Sequence, residues 1–322
     1  MAGAVTRLRN LGVDEEELCR KIAAATVSAY AEIEAAPKDT LTADVDLVSG
    51  GVRLLDSDGH PVEISGPTTR KLAELVPKVI LEWLSELDRA RIATIAAPLY
   101  LQLVDGVLAR KEGSTWLLAC PQFPAVLPAA EQMPGEELSE EQHLSVVVLG
   151  GRPAPARPGV VVSRSHPALI LRLLEAEVPE VASGQVVVKA VARDPGRRSK
   201  IAVSTSDPAI DPQGACIGPH GIRHRALMER LGREQLQFVL FDDNAEQFIS
   251  NSLAPARPIH MELLHESRTA RVTVTEDELP SAIGRAGENA RLAARLTGWK
   301  IDIHTPSSPS SPPSSAGAEG PS

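Results

Sequence analysis

The chain has 322 residues, 43% of them hydrophobic, and a formal net charge of −9, which predicts two to four modules with buried cores. Three scattered cysteines without a CxxC or Cys/His cluster exclude a disulfide framework and a structural zinc site. Because the sequence shows neither a signal segment nor a long apolar run, we expect a cytoplasmic protein with no membrane contact. The charge is uneven, because residues 1–163 carry 15 basic and 23 acidic residues whereas 164–304 carry 18 of each, so the total does not exclude nucleic-acid binding by the second part.

Residues 1–95 are predicted to form a small α/β domain. Apolar residues at positions 18, 22, 25, 29 and 33 recur every three or four residues, which predicts a helix. Alternating apolar and polar residues on either side of a Ser-Gly-Gly turn predict a hairpin over 43–55. Ser65 and Pro67 then begin a second helical stretch, which Pro77 is expected to kink or restart.

Residues 96–163 show a different pattern, in which short β-prone segments alternate with Gly-rich, Pro-rich and acidic loops. Several short strands in such a small region indicate a closed barrel of the OB-fold type. The segments lie near 99–104, 107–110, 115–119, 125–127, 144–149 and 160–163.

Residues 164–304 contain one order of elements twice, as an internal repeat. The order is helix, strand, strand, helix, Gly-x-x-Gly loop, helix and strand. We name 164–241 the first repeat and 242–304 the second repeat. The Ser- and Pro-rich tail, 305–322, has too few apolar groups to form a core and is predicted to be disordered.

Each repeat has one Gly-x-x-Gly loop, at 218–221 and at 284–287, which we name the first loop and the second loop. We name the separation in sequence between Gly218 and Gly284 the repeat offset, and residues of the two repeats that are separated by it are called equivalent. Two glycines allow a tight turn and a close approach to phosphate, and the helix that follows presents unpaired N–H groups. A lone loop of this kind could be a simple helix–helix turn. The repeated context, including Arg225 and Arg291 at equal distances from the loops, favours phosphate binding.

The stretches 163–181, 191–203, 211–232 and 280–303 resemble the paired KH domains of the NusA family of bacterial transcription factors, and 127–138 resembles the end of that family's OB-fold. The resemblance implies an α+β multidomain protein with an N-terminal α/β domain, a small OB-fold β-barrel and two tandem type II KH domains. It also implies a transcription factor without catalytic residues, cofactor or metal.

The resemblance implies further that the KH loops and nearby basic residues contact RNA. In the KH module such a loop clamps about four nucleotides. A basic hairpin at 193–200 matches the family as well, although a solvated turn explains it equally well. The implied RNA-binding residues are Gly218, Pro219, His220, Gly221, Arg223, Arg225, Gly284, Arg285, Ala286, Gly287, Arg291, Arg193, Arg197, Arg198 and Lys200.

The partners implied by the resemblance are RNA polymerase core, which residues 1–95 would bind, nascent single-stranded RNA, and other Nus factors. The protein is expected to be a monomer. His220 stands where the family usually has Arg or Lys, so the first loop is expected to hold phosphate more weakly. The barrel region has few aromatic side chains for stacking on bases and is expected to bind RNA weakly.

Two other functions fit parts of the sequence. KH and OB modules accompany the core of polynucleotide phosphorylase, but their order there is reversed and no catalytic motif is present here. A KH-bearing ribosome-associated RNA-binding protein is the second alternative, and the acidic residues 1–163 argue against it. His220 and His224 could share a metal, but two ligands without a third favour another role.

Overall fold

A computed structural model describes residues 13–153 and 158–306. Apart from Thr305 and Pro306, the predicted tail lies outside the described residues. The chain divides into two compact units, the first comprising 1–100, 123–125 and 149–161, and the second comprising 101–122, 126–148 and 162–322.

From residue 13 onward, the N-terminal region contains two α-helices and the predicted hairpin, whose strands pair antiparallel. Asp14 caps the first helix by accepting a hydrogen bond from the Glu17 N–H at 2.7 Å. Of the two outcomes predicted at Pro77, a kink or a restart, the restart is wrong, because the second helix is one continuous element of 31 residues. Proline removes a single helical hydrogen bond, and the remaining bonds keep the helix intact. The elements are α1 (Glu15–Glu34), β1 (Thr42–Asp46), β2 (Gly51–Leu55) and α2 (Gly66–Ala96).

The middle region forms a closed five-stranded barrel, as predicted, with the strand order β3-β4-β5-β7-β6. The two segments predicted near 99–104 and 107–110 form one strand, because the chain passes through Gly106 without turning and shifts register only between Leu108 and Arg110. The strands are β3 (Leu103–Glu112), β4 (Thr115–Ala119), β5 (Pro124–Leu127), β6 (His143–Pro153) and β7 (Pro158–Ser163).

The first repeat has the predicted order of elements around a three-stranded sheet. The strand order is β10-β9-β8, in which β8 and β9 are antiparallel and β9 and β10 are parallel. The strand β10 therefore forms an edge of this sheet. The elements are α3 (Ala168–Glu177), α4 (Pro179–Ala182), β8 (Val186–Asp194), β9 (Arg198–Thr205), α5 (Pro212–Ile217), α6 (Ile222–Arg230) and β10 (Gln235–Leu240).

The second repeat has the same architecture, with the strand order β11-β12-β13 and a parallel edge strand β13. An apolar cluster joins the two repeats: Ala192, Ala202 and Val239 of the first sheet pack against Phe248 and Leu292 of the second repeat. The repeats thus share a buried interface. The elements are α7 (Ala245–Leu253), β11 (His260–Leu264), β12 (Thr269–Thr273), α8 (Leu279–Ile283), α9 (Glu288–Thr297) and β13 (Lys300–His304).

The three cysteines are free, in agreement with the prediction. Burial raises the pKa of the Cys216 thiol to about 12 and that of Cys120 to about 11, so neither forms a thiolate at neutral pH. Within 13–153 and 158–306, no helix has the length and apolarity needed to cross a membrane.

Candidate nucleic-acid interface

The first glycine of each loop ends the preceding short helix in a conformation that is essentially restricted to glycine. Gly218 has φ 72° and ψ 167°, and Gly284 has φ 75° and ψ 174°. The N–H of each donates to the carbonyl four residues earlier, at 2.8 Å in both cases. A Cβ atom at Gly218 would lie 2.7 Å from Cγ of Arg223, and one at Gly284 would lie 2.7 Å from Cβ of Asn289. Both positions therefore require glycine.

The rest of the loop has the same conformation in the two repeats. His220 and Ala286 both have φ 52°, a left-handed conformation that is uncommon for residues with a side chain. The last glycine donates its N–H to the carbonyl of the first, at 3.0 Å in the first loop and 3.1 Å in the second. Helices α6 and α9 then begin without a side-chain cap. The N–H groups of their first residues, Ile222 and Glu288, donate to the carbonyls of Pro219 and Arg285 within the loops. Such helix ends attract anions.

Two side chains fix these loops from behind. Arg223 Nη1 donates to the Ala215 carbonyl at 2.6 Å and to the Glu180 carboxylate at 2.9 Å. Asn289, which lies one repeat offset after Arg223, donates its amide to the Ser281 carbonyl at 3.1 Å. Because its guanidinium is engaged in this way, Arg223 stabilises the loop, and its side chain is half-buried. The sequence prediction missed Asn289, although the repeat offset pairs it with Arg223.

Three exposed arginines lie at the loops and on the helices after them. Arg225 donates from Nη1 to the His220 carbonyl at 2.8 Å. Arg291 forms an ion pair with Asp194 at 2.7 Å and remains exposed. Arg285 is exposed in the second loop. Each loop is thus accompanied by positive charge on its open side.

The structure corrects the prediction for two residues of the basic hairpin. Arg193 is only 2% exposed and is ion-paired with the buried Glu234 at 2.8 Å. Lys200 is fully buried, where its ammonium donates to the Ser252 carbonyl at 2.6 Å. Burial lowers the pKa of Lys200 to about 7, and the charge of Arg198 contributes to the same shift. Side chains enclosed in this way cannot reach RNA.

The other two residues of this hairpin lie nearer the surface. Arg197 is exposed, 3.4 Å from Glu288 at the start of α9. Arg198 is half-buried and donates to the side chain of Gln237 at 3.1 Å. Of the four side chains, Arg197 and Lys200 contact the second repeat, through Glu288 and the Ser252 carbonyl.

A cleft of about 830 Å³ lies beside the second loop. Its apolar wall includes Ile283, Ala290, Ile301 and Ile303, from the helices around the loop and from the edge strand β13, and the chain just after β13 adds Thr305 and Pro306 to the lining. Half-apolar concave sites of this kind suit planar ligands such as nucleobases. Its polar wall consists of His260, Glu262, Arg271, Thr273, Asp302 and His304.

One group among the described residues has the spacing of metal ligands, namely Asp56, Asp58 and His60 in an exposed turn. A carboxylate oxygen of Asp56 already accepts the N–H groups of Asp58 and His60, both at 2.9 Å. These bonds account for the arrangement as an ordinary Asx turn. His220 and His224 do not belong to any such group in the described part of the chain.

Comparison with protein families matches both repeats. The family model of the NusA-like first KH domain matches residues 164–241. The model of the NusA-like second KH domain matches residues 245–311. The predicted pair of KH domains is thereby confirmed.

Relatives match the chain well beyond these repeats. A protein of Mycobacterium tuberculosis is 34% identical over 318 residues, covering 94% of this chain and 91% of the relative. A Bacillus subtilis protein is 36% identical over 73% of this chain and 63% of its own length, and a Thermus thermophilus protein is 38% identical over 76% and 62%. Each is named transcription termination/antitermination protein NusA.

Proposed function

This chain belongs to the NusA family of transcription factors, and from that membership we propose that its two glycine loops hold the backbone of nascent single-stranded RNA while the chain is bound to RNA polymerase core. The binding would modulate pausing, termination and antitermination. The observation that carries the proposal is the shared loop conformation in both repeats, including the strained third residue. Strained backbone of this kind is typical of functional sites.

The electrostatics of the loops support the proposal. A phosphate at either loop would face the uncapped first turn of a helix of nine or ten residues, where N–H groups and the helix dipole favour an anion. Exposed arginines would add attraction at longer range. The RNA-contacting residues we propose are Gly218, Pro219, His220, Gly221, Arg225, Gly284, Arg285, Ala286, Gly287, Arg291, Arg197 and Arg198.

The proposal assigns Arg223 a different task from the one its sequence position implied. Its guanidinium already donates to Glu180 and to the Ala215 carbonyl, so it holds the loop in the geometry that phosphate requires. No catalytic role is proposed for any residue. The polymerase contact is assigned to residues 1–95, other Nus factors are proposed as further partners, and the expected location is the cytoplasm.

Charge reversal in the loops tests the proposal. Pro219→Asp with His220→Asp, and separately Arg285→Asp with Ala286→Asp, oppose phosphate while leaving the glycines unchanged. Single-stranded RNA is titrated against the full chain at two salt concentrations. We expect weaker binding, a larger loss from the second pair, and a shallower salt dependence, because each lost phosphate contact removes about 0.7 from the logarithmic slope. Unchanged affinity in both variants, with native circular dichroism, would refute the proposal.

A capture experiment separates the two candidate partners. The tagged full chain is incubated with an equal mixture of purified RNA polymerase core and ribosomal subunits. We expect it to retain the polymerase. Retention of ribosomal subunits alone would favour the ribosome-associated alternative.

A further inference from the structure

The two repeats differ at the surface beside their loops, where a nucleobase would lie. The residues that line this surface correspond one to one between the repeats. On the helices, corresponding residues are separated by the repeat offset. On the edge strands, they occupy corresponding positions of β10 and β13. In the second repeat they form the apolar wall of the 830 Å³ cleft. The pairs are Ile217 with Ile283, His224 with Ala290, Leu236 with Ile301, and Phe238 with Ile303.

The corresponding surface of the first repeat is covered. Leu236 and Phe238 are each 7% exposed and belong to the apolar core of the first repeat, whereas Ile301 and Ile303 are half-buried at the edge of the second core. Ile217 does not cause this difference in exposure, because Ile217 and Ile283 are exposed to nearly the same extent, at 40% and 38%. Besides this core packing, two side chains of the first repeat lie against the edge strand β10.

His224 is one covering group. Its Nε2 lies 3.0 Å from the Leu236 carbonyl oxygen, and its ring lies edge-to-face on Phe238 with centroids 6.1 Å apart. Because a carbonyl oxygen only accepts, Nε2 carries the hydrogen and donates it. Ala290, at the same position of the second repeat, has no atoms beyond Cβ and leaves this space open.

Gln213 is the second covering group. Its Nε2 donates to the Phe238 carbonyl at 2.8 Å. The carbonyls of Leu236 and Phe238 both point away from β9, since alternate residues of an edge strand face outward. The residue that corresponds to Gln213 in the second repeat is Leu279, which has no donor.

The outward carbonyls of an edge strand are the groups that a base can use for hydrogen bonds with its Watson–Crick or Hoogsteen edge. In the first repeat the protein's own side chains occupy both of them. In the second repeat, within the part of the chain that the structure describes, Ile301 and Ile303 accept no side-chain hydrogen bond at these carbonyls. Among the described residues, side chains therefore occupy the outward carbonyls of β10 but not those of Ile301 and Ile303.

We infer that Gln213 and His224 close the first repeat to nucleobases, so that its loop holds RNA backbone without reading it, while the second repeat alone selects bases. The inference rests on the proposed function, in which both loops hold RNA. It makes Gln213 and His224 specificity-determining residues through exclusion. Leu279 and Ala290 occupy the equivalent positions in the second repeat, which selects bases.

Exchanging the residues between the repeats tests the inference in the full chain. The opened variant, Gln213→Leu with His224→Ala, gives the first repeat the residues of the second. The closed variant, Leu279→Gln with Ala290→His, does the reverse. The probes are short single-stranded RNA oligomers of A, C or U, and the readout is the ratio between the weakest and the tightest Kd, which a purely structural role would not change.

We expect the opened variant to bind its preferred oligomer about tenfold more tightly, the equivalent of one base contact of roughly 1.4 kcal/mol. The closed variant should lose most of its selectivity while keeping the salt dependence of binding, because its phosphate contacts remain. An opened variant that binds no more tightly, or a closed variant with unchanged selectivity, would overturn the inference.

Two controls keep the outcomes distinct. His224→Ala and Ala290→His are single variants that replace any double variant whose circular dichroism is not native. We expect the same direction of change from each, with a smaller effect. The loop variants with paired aspartates are measured against the same oligomers. If they have no effect, the proposed function itself fails; if they weaken binding while the exchanged variants do not alter selectivity, only the inference fails.

Discussion

Gly284→Ala should destabilise the second repeat by much more than the chemically identical change at Gly287. Both residues have positive φ and belong to the same loop. Gly284 has φ 75° and ψ 174°, whereas Gly287 has φ 73° and ψ 13°. The second conformation is left-handed helical and is open to other residues at a modest cost, whereas the first is essentially restricted to glycine.

The surroundings increase the difference. A Cβ at Gly284 would lie 2.7 Å from Cβ of Asn289 and 2.8 Å from its backbone nitrogen, whereas a Cβ at Gly287 would meet no atom within 4 Å. We expect about 1 kcal/mol for Gly287→Ala from the backbone conformation alone. For Gly284→Ala we expect about 3–5 kcal/mol, because backbone strain of about 1–3 kcal/mol adds to overpacking against a fixed backbone.

Urea unfolding of the full chain measures the difference. It is followed by the fluorescence of Trp299 in a background in which Trp83 and Trp116 are replaced by Phe. Trp299 belongs to the core of the second repeat, so its signal reports on that module. The midpoint for Gly284→Ala should lie well below that for Gly287→Ala, with a similar slope. Equal midpoints would show that the loop relaxes to accept the methyl group, and the argument that this position requires glycine would then be refuted.

Three further predictions concern the buried groups and the domain order. Arg193→Ala leaves Glu234 buried without its counterion and should lower the free energy of unfolding by about 3–5 kcal/mol. Arg197→Ala, at an exposed position, should lower it by at most about 0.5 kcal/mol. Equal losses in urea unfolding would contradict the structure. The pKa of Lys200 is about 7 in the folded protein against an ordinary 10.5, so the unfolded chain binds more protons between these values and stability from this group should rise with pH there. Lys200→Met should flatten that rise in melting temperature, and parallel curves would exclude Lys200 as its source. A chain shortened to 96–322 should no longer capture RNA polymerase core, and undiminished capture would exclude residues 1–95 as the contact.

The sequence was sufficient to predict the repeat and the loops because their signals are local. Helical spacing and paired glycines depend on residues within a few positions of one another. Because the same order of elements occurs twice, the assignment of each repeat supports the assignment of the other. The single strand β3 was divided in the prediction because Gly106 resembles a break, whereas in the barrel its lack of a side chain avoids Cys120, whose Sγ would lie 2.8 Å from an added Cβ.

The environment of the charged residues could not be predicted in the same way. Arg193 looks like a surface residue until Glu234, 41 positions later, is brought against it. Lys200 likewise depends on the Ser252 carbonyl, which the packing of the second repeat supplies. Long-range pairs of this kind leave no periodic pattern, so Arg193 and Lys200 were wrongly predicted to contact RNA.

The most direct test of the account is to map where nascent RNA contacts the chain during transcription. A stalled elongation complex carrying 4-thiouridine in the emerging RNA is bound to the full protein, irradiated and analysed by mass spectrometry of the linked peptides. The account predicts crosslinks in the peptides that contain 217–225 and 283–291, and their loss from each loop when it carries the paired aspartates. Crosslinks confined to the barrel, or unchanged by the aspartates, would contradict it.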